Sequence, residues 1–207
     1  VDGVRLLQFE PHRDGGGAVI HPYLRRFEQA VLQGQASYRA LQPLLQEGWS
    51  PDWIINHVGF GNGLFLNDVF PDASRIGLFE WYYNSSGADV DFLKQGKVDP
   101  DRALRLRTWN AHLLLELAAC DLAVTPTYWQ RDQFPKHLRT HLQVIHEGID
   151  VAGMQALRHT PPPRPSFLPA DTDLEIVTYV SRGFEEYRGF PQAMQAIAEL
   201  QRRRPSL

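Results

Sequence analysis

Short apolar runs alternate with amphipathic segments along the whole chain, a pattern typical of strands alternating with helices. The apolar runs predict strands at residues 4–9, 53–58, 75–79, 121–124, 142–145 and 175–180. The segments between them predict helices at 22–33, 36–47, 100–119, 130–138 and 191–203. Regular alternation of this kind predicts an α/β fold with a mainly parallel sheet.

Two of these segments carry the clearest local signals. Residues 53–58 form a continuous apolar run between turn signals, which is typical of a parallel strand covered on both faces. The helix at 100–119 begins with Asp99, a capping residue, followed by Pro100 at the first helical position. Leu104 and Leu115 fall on one face of that helix, together with Ala111 and Ala118.

Five prolines between residues 159 and 169 divide the chain. A proline-rich stretch neither sustains a helix nor donates to a central strand, so this segment predicts an interdomain linker. We therefore predict a Rossmann-like domain over residues 1–158, a linker over 159–170, and the start of a second Rossmann-like domain, its first strand and helix, over 171–207.

Composition excludes several classes of protein. The 207 residues carry a formal net charge of -3, which provides no global field for nucleic acid. A single cysteine permits no disulfide within the chain and indicates a reducing compartment. Because no apolar stretch approaches the length of a membrane span, we expect a cytoplasmic protein whose membrane contact, if any, is peripheral, at the inner face.

The segment 179–191, YVSRGFEEYRGFP, lies where a predicted strand feeds a predicted helix. Such a junction presents backbone amides and the positive helix end to an anion, and Arg182 and Arg188 add two cations. Gly189 permits a close approach of ligand to backbone. The residues alone leave open a second interpretation, a surface loop with two exposed arginines.

Five blocks in matching order resemble glycosyltransferase family 4. They are PDWIINHVGFGNGLFL, IGLFEWYY, VTPTYWQRDQFP, VIHEGIDV and the segment 179–191. The resemblance implies a GT-B fold, in which Arg182 and Arg188 hold the nucleotide diphosphate and His57 contacts the donor sugar. The residues on their own leave a structural histidine open at position 57.

Two further groups of residues are candidates for substrate binding. Glu80 and Tyr82 follow a strand and stand beside Trp81, a combination suited to binding a sugar, although aromatic core packing is an equal alternative. Gly59 and Gly61 would let donor or acceptor approach the backbone, or would serve only as turn residues.

The resemblance implies a glycosyltransferase, or a fragment of one, that moves a sugar from a nucleotide-sugar donor to a saccharide or lipid-linked acceptor with retention. It implies no metal and no cofactor besides the donor, which is a substrate. The alternative is a non-catalytic module that binds a sugar or a partner. By the same resemblance, the family's opening strand is expected before Val1 and its donor-binding glutamates beyond Leu207. A dinucleotide-binding oxidoreductase is disfavoured because the spaced glycine fingerprint is absent.

Overall fold

A computed structural model describes residues 3–17, 19–92, 99–160, 163–168 and 176–204. The chain forms two compact units, Val1–Glu147 and Gly148–Leu207. The predicted limits of the two domains and the linker remain a prediction.

The first unit contains a parallel sheet of four strands, β1 (Trp53–His57), β2 (Ser74–Leu78), β3 (Leu122–Thr125) and β4 (Leu142–Val144). The strands lie side by side in chain order, and every pair is parallel. These four strands confirm the predictions at 53–58, 75–79, 121–124 and 142–145. The architecture is a Rossmann-like α/β domain, as predicted.

One helix precedes the sheet, and shorter helices connect its strands. They are α1 (Arg25–Gln46), α2 (Leu66–Val69), α3 (Pro100–Trp109), α4 (Ala111–Ala119) and α5 (Tyr128–Arg131), with a 3-10 turn at Arg139–His141. The buried core beside the sheet contains Val58, Phe79, Leu113, Ala123, Phe134 and Leu142. All four strands therefore end at one edge, where parallel α/β sheets bind ligands.

The predicted strand at residues 4–9 is wrong, because these residues form neither helix nor strand. Val4 and Leu6 are 67% and 79% exposed. An ion pair of 2.8 Å between Arg5 and Glu47 connects the segment to the end of α1. A strand requires a neighbouring backbone for its ladder, and no ladder is described for this segment.

The two helices predicted at 22–33 and 36–47 are one helix, α1, which continues through Gly34. A side chain at Gly34 would lie 2.8 Å from the carbonyl oxygen of Gly61 and 3.0 Å from the Phe65 ring. Gly34 therefore serves the close packing of a loop on α1 and does not break the helix.

The predicted helix at 100–119 is interrupted at Asn110, between α3 and α4. The Asn110 side chain accepts a hydrogen bond from the Tyr83 amide at 2.8 Å and donates one to the Tyr83 carbonyl at 2.9 Å. A tertiary contact therefore accounts for the break. Leu104 and Leu115, on the predicted apolar face, are 52% and 53% exposed, whereas His112 and Glu116 are fully buried.

Two other predictions need correction. Only Gln130 and Arg131 of the helix predicted at 130–138 are helical, because they end the short α5, which begins at Tyr128 after the Thr127 cap. The 3-10 turn at Arg139–His141 lies beyond the predicted range. The expected burial of both faces fails for β1, where Trp53 and Ile55 are 63% and 75% exposed.

The second unit contains α6 (Val151–His159), a 3-10 turn at Glu186–Arg188 and α7 (Phe190–Arg203). Helix α6 was not predicted from the sequence. Asp150 caps it by accepting a hydrogen bond of 2.9 Å from the Gly153 amide. Helix α7 confirms the prediction at 191–203. The predicted strand at 175–180 is wrong over residues 176–180, which have no ladder partner in the described part of the chain, and Glu175 lies outside that part.

Candidate active site

His57 and Glu80 meet at the edge of the sheet where the strands end. His57 is the last residue of β1, paired in register with Leu78 of β2, and Glu80 follows two residues later. Nε2 of His57 lies 3.1 Å from Oε2 of Glu80. Their side chains are 43% and 57% exposed, so the pair faces solvent and is available to a ligand.

A cavity of about 430 Å³ adjoins His57 on the α1 side of the sheet. Its walls are largely apolar and come from α1, β1 and the segment that contains Leu7 and Phe9. Phe60 lines the same cavity, and its ring lies 5.5 Å from the imidazole of His57. The imidazole therefore has an apolar neighbour on one side and the Glu80 carboxylate within hydrogen-bonding distance.

Directly before His57, Asn56 belongs to a buried polar network. Arg75 and Glu116 form an ion pair of 3.2 Å, with side chains 1% and 0% exposed. Asn56 donates to Glu116 at 2.9 Å and accepts from the Arg75 Nε at 3.1 Å. Burial raises the pKa of Glu116 to about 7, although Arg75 and Asn56 both lower it. The network fixes the strand end that carries His57.

The glycine loop after β1 is packed against the domain. Gly61 has a φ of +91°, and a side chain there would lie 2.2 Å from the Ala30 carbonyl oxygen. A side chain at Gly63 would lie 2.1 Å from Oε2 of Glu116. At Gly59, in contrast, the nearest atom would be 4.0 Å away. Gly61 and Gly63 are thus required by packing, and Gly59 alone has open space beside it.

His112 of α4 binds the backbone of this loop. Its Nε2 donates a hydrogen bond of 3.0 Å to the Gly59 carbonyl, which leaves Nδ1 without a proton. Burial lowers the pKa of His112, so the imidazole stays neutral. The sequence predicted no role for His112.

The loops after β2 and β3 are joined to each other. Gln130 of α5 donates from Nε2 to the Glu80 carbonyl at 3.1 Å. The rings of Trp81 and Trp129 lie 5.3 Å apart. Asn84 donates to the Gln133 carbonyl at 2.9 Å. These contacts fix Glu80 relative to the neighbouring strand end.

Tyr82, in the loop after β2, packs against the domain. Its ring is 5.0 Å from Phe134, and burial raises the pKa of its hydroxyl. It lines a second cavity of about 360 Å³ together with Arg107 and Asn110. The residues that line this cavity differ from those around His57, so Tyr82 and His57 belong to different cavities.

In the second unit, Arg182 and Arg188 are both exposed. Nε of Arg188 lies 3.6 Å from a carboxylate oxygen of Glu185, and the Arg188 carbonyl accepts a hydrogen bond of 2.8 Å from the Tyr179 hydroxyl. Gly189 has a φ of +69° at the start of α7, a left-handed conformation that favours glycine.

Three rings of the same segment form a cluster. Tyr179 lies 5.6 Å from Phe190, and Phe184 lies 4.8 Å from Phe190. The cluster holds the two ends of the segment 179–191 together.

The arrangement contains elements that the sequence did not predict as functional. Gln130, His112 and the buried Arg75–Glu116 pair each act through a partner distant along the chain.

In the described part of the chain, no group of three or more His, Cys, Asp or Glu side chains could hold a metal ion. No helix within the same residues is long and apolar enough to cross a membrane.

Comparison with known proteins identifies one family. The model of the glycosyl transferase family 4 group matches residues 1–154. No curated protein matches the chain. The matched region includes the whole sheet and both residues of the His57–Glu80 pair.

Proposed function

We propose, since this chain belongs to the glycosyl transferase family 4 group, that it takes part in moving a sugar from a nucleotide-sugar donor to a saccharide or lipid-linked acceptor. The first unit is the acceptor side of a GT-B enzyme, and the segment 179–191 belongs to the donor side. The reaction retains the configuration at the anomeric carbon. The donor is a substrate, and no metal or other cofactor takes part.

The His57–Glu80 pair is the observation that supports this proposal most directly. Both side chains are exposed at the carboxyl ends of adjacent parallel strands, where this class of sheet binds ligands. Glu80 accepts hydrogen bonds from sugar hydroxyls, and the His57 imidazole offers a donor or an acceptor according to its tautomer. A polar pair next to an apolar cavity is typical of small-ligand sites.

Charge on the leaving diphosphate is the largest electrostatic demand of such a transfer. Arg182 and Arg188 meet that demand as two exposed cations beside the start of α7. Arg188 is paired with Glu185 at 3.6 Å, a long contact that a diphosphate replaces. Loss of one charged contact of about 3 kcal/mol slows transfer on the order of a hundredfold.

Calorimetric titration with UDP-, GDP- and ADP-sugars tests donor binding, with NAD as the negative control. The protein is expressed from its complete reading frame, and transfer is measured with the donor that binds. Binding of one nucleotide sugar with transfer supports the proposal. Binding without turnover supports the alternative of a non-catalytic module, and binding of NAD alone contradicts both.

Arg188→Ala and Arg202→Ala form a matched pair of variants. Each arginine is exposed and pairs with a glutamate three residues earlier, Glu185 or Glu199. We expect Arg188→Ala to lower kcat/KM for the donor on the order of a hundredfold and Arg202→Ala to leave it unchanged. Equal activity of the two variants contradicts the role of Arg188.

A further inference from the structure

We infer that Trp81 and Trp129 form a stacking platform, here called the tryptophan platform, for a pyranose ring of the acceptor saccharide. This inference rests on the proposed function and specifies where the acceptor lies. It places the sugar at the ends of β2 and β3, on the side of Glu80 away from β1.

The two indole rings have different surroundings. Their centroids lie 5.3 Å apart with an angle of 42° between the ring planes. Trp81 is half-buried, whereas Trp129 is 57% exposed, and the neighbouring Tyr128 is 67% exposed. Trp81 therefore supports Trp129, which presents a large aromatic surface to solvent.

The platform is fixed relative to the Glu80 carboxylate. Glu80 precedes Trp81 in the chain, and Gln130 follows Trp129. The Gln130 side chain donates to the Glu80 carbonyl at 3.1 Å. Thr127 caps α5 by accepting from the Gln130 amide at 3.1 Å. One hydrogen bond thus joins Glu80, which precedes Trp81, to Gln130, which follows Trp129.

A pyranose ring fits this combination of groups. Its C–H face is apolar and packs on an indole, and its hydroxyls donate to a carboxylate. Exposed aromatic surface beside a few polar groups is the usual composition of a small-ligand site. The Glu80 carboxylate disfavours a nucleotide diphosphate here, because its charge has the same sign. The charge of the neighbouring Asp132 is balanced by Arg131, at 3.0 Å.

Indole N–H signals of the five tryptophans provide a direct test on this chain. The signals are assigned with single Trp→Phe variants in nitrogen-15 correlation spectra. Methyl glycosides of glucose, galactose, mannose and N-acetylglucosamine are then titrated one at a time. We expect at least one of them to shift the signals of Trp81 and Trp129 in a saturable manner.

Trp53 is the matched control, since it is 63% exposed but begins β1 at the opposite edge of the sheet. Trp129→Ala should weaken binding about tenfold, as expected for the loss of an aromatic stacking contact. Trp129→Phe should weaken it less, and Trp53→Ala should leave it unchanged. The correlation spectrum of each variant also shows that the domain is folded.

Two results overturn the inference: no saturable shift with any of the four glycosides, or equal shifts at Trp53 and Trp129. Donor titration separates this outcome from failure of the proposed function. Nucleotide-sugar binding without the indole shifts rejects the platform alone. Indole shifts in a protein that binds no nucleotide sugar reject the transferase and retain the saccharide site.

Discussion

Nε2 of His57 lies 3.1 Å from Oε2 of Glu80, so that side chains join the ends of two neighbouring parallel strands. The two residues are 23 positions apart in the chain and come together only because β1 and β2 are adjacent. A ligand that contacts one of them therefore encounters the other.

Removal of either member of the pair should reduce transfer far more than it reduces stability. We expect His57→Ala and Glu80→Gln to lower kcat/KM about 10- to 100-fold, the value of one hydrogen bond to a charged group. Because both side chains are exposed, the free energy of unfolding should change by less than about 1 kcal/mol. Kinetics and thermal unfolding measure the two effects.

Glu47→Gln is the control for this comparison. Glu47 is 53% exposed on the same unit and forms an ion pair with Arg5. It should keep full transfer activity. If Glu47→Gln and Glu80→Gln reduced activity equally, the assignment of Glu80 to the site would be wrong.

Gly63→Ala should destabilise the first unit by about 1–3 kcal/mol, the usual cost of overpacking. The new methyl group would lie 2.1 Å from Glu116 and 2.4 Å from Arg75, both buried and unable to withdraw. Gly17→Ala is the control, since no atom lies within 4 Å of a side chain there. Denaturant unfolding compares them, and equal stability of the two variants would contradict the tight packing at Gly63.

Glu116 should make stability fall as pH rises. Its folded pKa of about 7 exceeds its ordinary value of 4.5, so between these values the folded state binds more protons than the unfolded state. The loss across this window is at most on the order of 3 kcal/mol. Glu116→Gln removes the titration, because its neutral amide takes the place of the protonated carboxyl that wild type holds below pH 7.

Unfolding free energies at pH values from 5 to 7.5 test this expectation. The unfolding free energy of wild type minus that of Glu116→Gln should fall as pH rises through the window. A difference that grows with pH would show that the buried carboxylate is ionised throughout and that its pKa is not raised.

His112 should make stability fall as pH falls, the opposite of the effect of Glu116. Burial lowers its folded pKa below the ordinary value of 6.5, so the unfolded state binds more protons and stability is lost as pH falls below 6.5. His112→Gln keeps a donor at a similar position for the Gly59 carbonyl but does not titrate. Its stability should therefore fall less than that of wild type between pH 6.5 and 5 in thermal unfolding. An unchanged acid-side loss would contradict the neutral, buried state of His112.

Local signals in the sequence were sufficient for the four strands of the sheet. Each is a short apolar run between turn residues, and its position follows from hydrophobic pattern alone. The same logic failed at residues 4–9 and 176–180, which are equally apolar. A strand depends on a partner backbone, and apolar pattern contains no information about whether that partner is present.

Helix limits were predicted less well, because tertiary contacts decide them. Gly34 continues α1 since a loop packs against it, and Asn110 interrupts the helical run since it binds the backbone of Tyr83. Glycine disfavours the interior of a helix, and asparagine does so only weakly. Helix propensity alone therefore predicts neither the continuation at Gly34 nor the break at Asn110.

For the candidate site, the sequence singled out individual residues but not the partners that they contact. His57 was predicted from the family resemblance and Glu80 from its position after a strand, and the structure brings the two together. The platform partner Trp129 and the connecting Gln130 lie about 50 residues from Trp81 and Glu80, so no local pattern relates them.

The sequence by itself determined the α/β class, the four parallel strands and the family, since these depend on periodicity and on motifs that are continuous in the chain. Only the tertiary structure decided which polar residues are buried, such as Arg75 and Glu116, and which exposed side chains share an edge. Burial and contact are properties of pairs of distant segments, and they arise only when the packed helices and the sheet bring those segments together.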